Sequence, residues 1–393
     1  MKLLNLFKKK KPNIIMILID GGGRQDALNL VPFYQELIKD STFFSSLITY
    51  APYSISSLHA LFAGMYGNVN GVNGYYKSYN FDKKNVFALT QYLKEAGYYT
   101  ELDFVIEDVI PAQGFDKIRT FGKDDEKDID LVQRHSEILN QIKDKKPFFV
   151  FLDYNKIALK LQPLVIKKYT DFSEEYFKNK EKNFSTYVKL VEESADHIKK
   201  ILDKIKELGL YEDSIIIIFS DHGSSVGDRI GEKVYGVYLY DYTINCWAYL
   251  IGNSMPKGVE IKKQLRHIDI MPTILDILKI KQKEGYKPIQ GKSFLSFLNG
   301  KEEDRIAYSE TGGLGGPTPS PDVHNIQSVR TNVWKLVYNK TNKKKELYNL
   351  EQDKEENNNL AGKGLEIEDK LWKELQEINE EHKKINEMYK TKL

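Results

Sequence analysis

Cysteine is almost absent from this sequence: one residue, Cys246, stands in 393. That excludes an intramolecular disulfide framework and a cysteine zinc cluster. Its setting, Cys246-Trp247-Ala248-Tyr249-Leu250-Ile251, reads as a small apolar side chain in a buried strand. An excess of either charge is also lacking. Lys and Arg total 58 against 56 Asp and Glu, a formal net charge of +2, and the lysines are dispersed. Nothing therefore marks a nucleic-acid surface, and no nucleic-acid partner is expected. No apolar run approaches membrane-spanning length.

What is present is the composition of a soluble, core-forming chain, 41% apolar and 29% charged. Its length accommodates one large α/β domain or two ordinary ones. The first residues, Met1 to Phe7 and then Lys8 to Lys11, are too short for a signal-peptide core, and their charge follows the apolar part instead of preceding it. The expectation is a cytoplasmic protein with a basic tail over 1–11. Leu3, Leu4, Leu6 and Phe7 beside five lysines would also suit a weak peripheral contact with an anionic inner leaflet.

Asn13 to Ile19 is a continuous apolar, β-branched run, the mark of a strand buried on both faces. Phe43–Tyr50, Tyr98–Asp103, Phe148–Asp153, Ser214–Ser220 and Cys246–Ile251 repeat the pattern. Helical spacing occupies Asn85–Ala96, stopped by Gly97, and Lys182–Leu208. The alternation predicts an α/β fold with a mostly parallel central sheet flanked by helices, whose ligands gather beyond the carboxyl ends of the strands. The pattern changes near Arg305, which divides the chain into 12–304 and 305–393. A Gly/Pro-rich loop covers Gly312 to Pro321, and short strands follow at Gln327–Arg330, Trp334–Tyr338 and Glu346–Tyr348. They predict a small antiparallel sheet. Leu371, Leu375, Ile378, His382, Ile385 and Tyr389 then form a packing stripe on a terminal helix, expected to dock on its own domain.

Three places carry chemistry. Asp20 closes the first buried strand and precedes Gly21-Gly22-Gly23, where a ligand can approach the backbone closely. Ser220-Asp221-His222-Gly223 closes the most apolar strand, and adjacent Asp and His offer an oxygen and an imidazole, a donor set suited to Zn²⁺ or Mn²⁺. Ser54, Ser56 and Ser57 stand just before a predicted helix, where orphan amides attract anions. On that stretch alone, N-capping by serine is the simpler reading.

Taken together, these pieces resemble the sulfatase branch of the alkaline phosphatase superfamily, from about Pro12 to Leu360. Pro12-Asn13 to Asp20 and Arg24, Leu93 to Tyr98, Gly114-Phe115-Asp116, Ser220 to Gly223, Arg266 to Asp276, and Glu346 to Leu350 with Asp353 and Asn358 to Leu360 carry the likeness in order. The resemblance implies an alkaline phosphatase-like fold and Ser54 as nucleophile. It also implies one divalent ion, Zn or Mn favoured and Ca or Mg possible, on Asp20, Asp221, His222 and the Ser54 oxygen. Lys233 and His267 are its candidate substrate-anion contacts, with His267 equally readable as a satisfied polar residue on a helix.

The departures are equally specific. Formylglycine-forming sulfatases carry Cys/Ser-x-Pro-Ser-Arg, whereas this chain reads Ser54-Ile55-Ser56-Ser57-Leu58. Gly21 stands where a second carboxylate is usual. Asp153 is followed four residues later by Ile157, not by the histidine of a two-zinc phosphatase. The single-metal set is similar to that of the phosphoglycerol transferases that build lipoteichoic acid. Three readings stand: a phosphate-type ester hydrolase or transferase acting on a small-molecule, glycan or lipid-headgroup ester; a sulfatase with Ser54 converted to formylglycine; and an inactive binding or scaffold protein. Tyr75, Tyr76, Tyr79, Tyr235, Tyr238 and Tyr240 are candidates to wall a sugar or lipid headgroup.

Overall fold

The computed structural model describes residues 11–75, 77–122, 129–161, 174–252, 255–312 and 325–390. Residues 1–10 of the basic tail, Tyr76 and residues 313–321 of the Gly/Pro-rich loop lie outside the described residues.

A nine-stranded sheet holds β1 (Asn13–Ile19), β2 (Thr42–Ile48), β3 (Tyr99–Phe104), β4 (Lys117–Thr120), β5 (Phe148–Tyr154), β6 (Ser214–Phe219), β7 (Asn245–Ile251), β8 (Val259–Ile261) and β9 (Leu265–Arg266). Their order is β4-β3-β5-β1-β6-β7-β2-β8, with β9 beside β2. β4 through β6 run parallel, and β7 reverses against both β6 and β2. Every residue of β1, β5 and β6 is buried, as expected for a sheet covered by helices on both faces. Register does the rest. Leu18 stands opposite Phe219, so the chain emerges from β1 at Asp20 level with the chain emerging from β6 at Asp221.

The helix Lys180–Glu207 covers one face with Tyr187, Val191, Ile198, Ile201 and Ile205, close to its predicted span. The helix expected over Asn85–Ala96 is shorter, Leu89–Glu95. Asp82 captures the preceding turn by accepting the amides of Asn85 at 3.1 Å and Val86 at 2.9 Å on its carbonyl, and the Gln91 side chain accepts the Ala88 amide at 3.0 Å. The Asp82 bonds close a single separate turn, and the Gln91 contact, half of a capping box, marks the helix start after Ala88.

A second, antiparallel sheet follows, β10 (Ala307–Thr311), β11 (Ile326–Arg330), β12 (Trp334–Asn339) and β13 (Lys344–Asn349), in that order. β10 escapes the sequence pattern because all five of its residues are buried, polar ones included. Glu310 accepts hydrogen bonds from Tyr308 at 2.6 Å, Gln327 at 3.3 Å and Asn68. The terminal helix Glu366–Lys390 packs Leu371 on Leu336 and Leu347 of this layer, while its Ile385 and Tyr389 pack on Met65, Val69 and Val86. A buried charge cluster joins the two sheets. Arg330 (2.7 Å) and Lys335 (3.0 Å) bind Asp241 ahead of β7, and Lys335 also meets Glu356 at 2.7 Å. Burial alone would raise the Asp241 pKa, but the two cations hold it well below the usual carboxylate range. No helix among the described residues is long and apolar enough to cross a membrane.

His382 sits between the rings of Tyr66 (5.4 Å) and Tyr308 (5.3 Å), 3% exposed, and neither ring nitrogen has a hydrogen-bond partner among the described residues. Burial pushes its pKa down to about 4. The unfolded chain takes up this proton near pH 6.5 and the folded chain only near 4. Its contribution is therefore intact above 6.5 and lost as pH falls from 6.5 to 4, on the order of 3 kcal/mol in full. Buried His59 and His267 act in the same direction. Urea unfolding between pH 7.5 and 5 should show His382→Leu losing less stability than the parent. An identical pH slope in both proteins would contradict this account.

Candidate metal centre

Asp20 leaves β1 with its amide donating to the Tyr154 carbonyl at 3.1 Å. Gly21 then takes a positive φ of 72°, a region open to glycine at no steric cost. Its amide donates to Asp221 Oδ1 at 3.3 Å, and its carbonyl accepts from Tyr187 at 2.7 Å and Ser224 at 3.0 Å. Two residues on, the strand-end loops touch. The Gly23 amide donates to the His222 carbonyl at 3.0 Å, and a Cβ at Gly23 would fall 2.7 Å from the Gly223 nitrogen. Gly23 is thus a packing requirement between two loops.

Asp221 is fully buried. Its Oδ1 accepts from the amides of Gly21 and, at 2.9 Å, His222, whereas Oδ2 has no hydrogen-bond partner among the described residues. His222 Nδ1 lies 2.8 Å from the Gly223 carbonyl oxygen. A carbonyl only accepts, so Nδ1 carries the proton and Nε2 presents a lone pair. That lone pair faces Asp20 Oδ1 at 3.6 Å, Asp221 Oδ2 at 3.7 Å and Ser54 Oγ at 3.3 Å. Ser54 Oγ in turn lies 3.2 Å from Asp20 Oδ1.

These atoms fit one cation. Asp20, Asp221 and His222 each offer a ligand atom within 4.8 Å of the others. Donors about 2.1 Å from a tetrahedral ion stand about 3.4 Å apart, and the separations of 3.2 to 3.7 Å bracket that value. A buried carboxylate oxygen without a donor, beside a second carboxylate, is costly unless a cation answers it.

Ser54 opens the helix Ser54–Ala63, whose cap is Tyr53 with no side-chain cap bond. Serine N-capping is therefore not what these hydroxyls do. Ser57 Oγ meets Thr49 at 2.6 Å, the Asp221 carbonyl at 2.9 Å and His267 Nδ1 at 3.3 Å, which ties the helix start to the β6 loop. The Ser57 amide is spent on the Tyr53 carbonyl at 3.3 Å, so the amides left over by the first helical turn are those up to Ser56. His267 is fully buried, and burial drives its pKa down to about 3. It is a neutral ring supporting Ser57. Lys233 is 8% exposed, with its ammonium 6.0 Å from the Tyr176 ring.

The loop after His222 is pinned from several sides. Arg24 reaches the Ser224 carbonyl at 3.2 Å and Asp228 at 2.6 Å. Buried Glu232, its pKa raised to about 7 by burial, accepts the amides of Val237 at 2.8 Å and Tyr238 at 2.9 Å. Of the candidate tyrosines, Tyr235 packs on His222 and Tyr75 packs on Tyr53. Tyr238 and Tyr240 pack on each other, Tyr240 also meets Tyr348, and Tyr79 is 78% exposed. Sequence reasoning missed Thr49 and the supporting role of Ser57. Thr49 follows directly on β2, a strand-end hydroxyl that offers no signal of its own.

The chain belongs to the sulfatase family: the family model described as Sulfatase matches residues 12–280. A second model, N-sulphoglucosamine sulphohydrolase, C-terminal, matches 249–381. Among solved structures, BT1596, a 2-O GAG sulfatase, superposes with a TM-score of 0.71 at 17% identity, covering 98% of this chain and 92% of that one. BT4656, solved with its substrate D-glucosamine-2-N,6-O-disulfate, gives 0.73 at 14% identity over 95% and 99%. At such identities the likeness is one of fold. Curated relatives match over shorter stretches. The low-salt glycan biosynthesis sulfotransferase Agl7 of Haloferax volcanii is 34% identical over 87 residues, 21% of this chain and 22% of its own. The multifunctional alkaline phosphatase superfamily protein PehA of Trinickia caryophylli is 31% identical over 121 residues, 30% of this chain and 23% of its own. The chain thus matches less than a quarter of the length of either.

Asp221→Asn keeps an oxygen for the two amides and removes the charge. Calorimetric titration with Mn²⁺ or Zn²⁺ should show affinity reduced at least about 100-fold. The parent should gain about 2.7 kcal/mol of stability at a metal concentration 100 times Kd, and the variant should gain almost nothing at that concentration. Parental affinity in Asp221→Asn would remove this residue from the centre.

Proposed function

We propose that this chain is a metal-dependent hydrolase or transferase of phosphate-type esters whose nucleophile is the unmodified Ser54 hydroxyl. The observation that carries the reading is the position of Ser54 Oγ, 3.2 Å from Asp20 Oδ1 and 3.3 Å from His222 Nε2, on the first residue of a ten-residue helix. Asp20, Asp221, His222 and Ser54 would hold the ion, with Zn²⁺ or Mn²⁺ suited to the donors. When bound, it supplies Lewis-acid chemistry that lowers the hydroxyl's pKa and offsets the two carboxylates.

The chain's own residues account for the rest. Asp20 Oδ1 and His222 Nε2 orient the Ser54 hydroxyl, leaving an oxygen lone pair for attack. The free amides of the first helical turn, up to Ser56, face an anionic ester at the positive end of the helix. Ser57, held by Thr49 and His267, keeps that helix start against Asp221. Attack forms a Ser54 Oγ–phosphorus bond and breaks the bond from phosphorus to the ester oxygen, which leaves as an alcohol carrying the proton that Ser54 gives up. Water or a second alcohol then takes the phosphoryl group from serine. The substrate class is a small-molecule, glycan or lipid-headgroup ester.

The absence of Pro and Arg after Ser54 supports unmodified serine over formylglycine. A second reading, a sulfatase with Ser54 converted to formylglycine, is favoured by the sulfatase fold neighbours. Mass analysis of the Ser54 peptide separates the two, with unmodified serine expected. Ser54→Ala should lower turnover of an aryl phosphate on the order of 1000-fold while metal still binds. Parental turnover by that variant, or a formylglycine mass, would overturn the serine mechanism.

A further inference from the structure

Val234 is fully buried and β-branched, yet its φ is +75°, a conformation that branched residues avoid. The Tyr235 amide donates to the Lys233 carbonyl at 3.1 Å. Lys233–Tyr235 is therefore a γ-turn of the rare, strained, positive-φ kind. The Ser225 amide donates to the Val234 carbonyl, closing an isolated antiparallel bridge between the two arms of the loop. Such strain persists only where the surroundings over-determine it, and it gathers at functional sites.

The turn fixes the place of Tyr235. Its ring centroid lies 4.7 Å from the His222 ring at an interplanar angle of 57°. Its side chain is hydrogen-bonded to that of Tyr75. Burial, then the proximity of Tyr75 and Asp20, then that hydrogen bond raise the Tyr235 pKa well above the ordinary tyrosine value and keep the proton in place. The Tyr75 ring meets Tyr53 edge-on, with centroids 5.4 Å apart at 74°, and Tyr53 caps the helix that begins at Ser54. Two ring contacts joined by one hydroxyl hydrogen bond thus run from the metal-site imidazole to the residue beside the nucleophile. Tyr53 and Tyr235 are buried and Tyr75 is half-buried, so Tyr75 is the ring of the three placed to touch a bound ester.

We infer that Tyr235 is a positioning residue that fixes the His222 imidazole and the Tyr75 ring together, and that Tyr75 is a specificity-determining contact for the alcohol part of the ester, selecting a flat aryl or sugar ring over a short alkyl chain. The inference rests on the reading of Ser54 and its neighbours as an ester site. An offset ring stack supplies the selectivity, because only a ring matches the aromatic face. A residue that holds a ligating imidazole supports metal affinity without itself touching the ion.

The test uses the full chain and two binding measurements that need no turnover. In calorimetric titration with Mn²⁺, Tyr235→Leu should bind about 10-fold more weakly than the parent, and Tyr235→Phe, which keeps the ring, within about 2-fold. With saturating Mn²⁺, the parent should bind phenyl phosphate about 10-fold more tightly than methyl phosphate. Tyr75→Ala should abolish that preference by weakening phenyl phosphate alone, and Tyr235→Phe should reduce it by freeing Tyr75. Unchanged Mn²⁺ affinity in Tyr235→Leu overturns the positioning role. Equal losses for both esters in Tyr75→Ala, or no parental preference, overturn the specificity role. Failure of the ester-cleavage reading would appear separately, as binding of both esters without turnover of either.

Discussion

Two carboxylates and an imidazole are forced together at the ends of neighbouring buried strands, and the rest of the molecule is arranged around that enforced closeness. Parallel pairing of β1 and β6 brings Asp20 and Asp221 out of the sheet at the same level. Two unit charges about 4 Å apart repel by on the order of 4 kcal/mol near a protein surface, and more in a drier setting. Asp221 cannot relieve this by turning away, because two amides fix its Oδ1 and the other oxygen has no hydrogen-bond partner among the described residues. A shared cation resolves the conflict, so the same strain that makes the cluster costly when bare makes it selective for an ion.

Holding that arrangement needs support from far along the chain. The loop after His222 receives its anchors from Arg24 at the end of β1, from its own Glu232, and from the buried cluster of Asp241, Arg330, Lys335 and Glu356. The C-terminal sheet therefore acts as a clamp on the loop that carries Lys233 and Tyr235, even though none of its strands enters the nine-stranded sheet. The terminal helix completes the clamp. Asn386 donates to the Asn68 carbonyl at 2.7 Å and accepts from Lys287 at 2.9 Å, behind the helix that begins at Ser54. A scaffold so extensively tied keeps donor atoms at separations a metal requires.

The central fold was legible because β1, β5 and β6 are buried on both faces, and that constraint writes itself into sequence as unbroken apolar runs. Strand-end chemistry was legible for the same reason, since Asp20 and Asp221 interrupt those runs where a sheet of this kind gathers ligands. What escaped detection obeys other rules. β10 is buried through hydrogen bonds to Glu310, so its residues look polar. The start of the Leu89–Glu95 helix is marked by Gln91 accepting the Ala88 amide rather than by apolar spacing. The hydroxyls near Ser54 looked like helix caps, and only tertiary contact shows that Tyr53 holds the cap position while the serines reach across to β1 and β6. Val234 looks like any valine in a list, and its turn exists only because the surrounding loop imposes it.

Gly21 is where composition and mechanism meet. The space beside it would hold a Cβ, since the nearest atoms, Ser224 Oγ and His222 Cε1, lie at 3.5 and 3.7 Å, ordinary contact distances. The backbone is what excludes most side chains, with φ at +72° and both amide and carbonyl engaged. A carboxylate there would carry that strain and would also change the charge count. With ionised Asp20 and Asp221 and an imidazole whose Nε2 is bare, the cluster carries about −2, which one divalent ion cancels. A third carboxylate would leave the loaded site negative and would oppose the approach of an anionic ester. The short ligand set is therefore consistent with the proposed ester site: two carboxylates and an imidazole at two strand ends match the charge of one divalent ion and add no third negative charge beside Ser54.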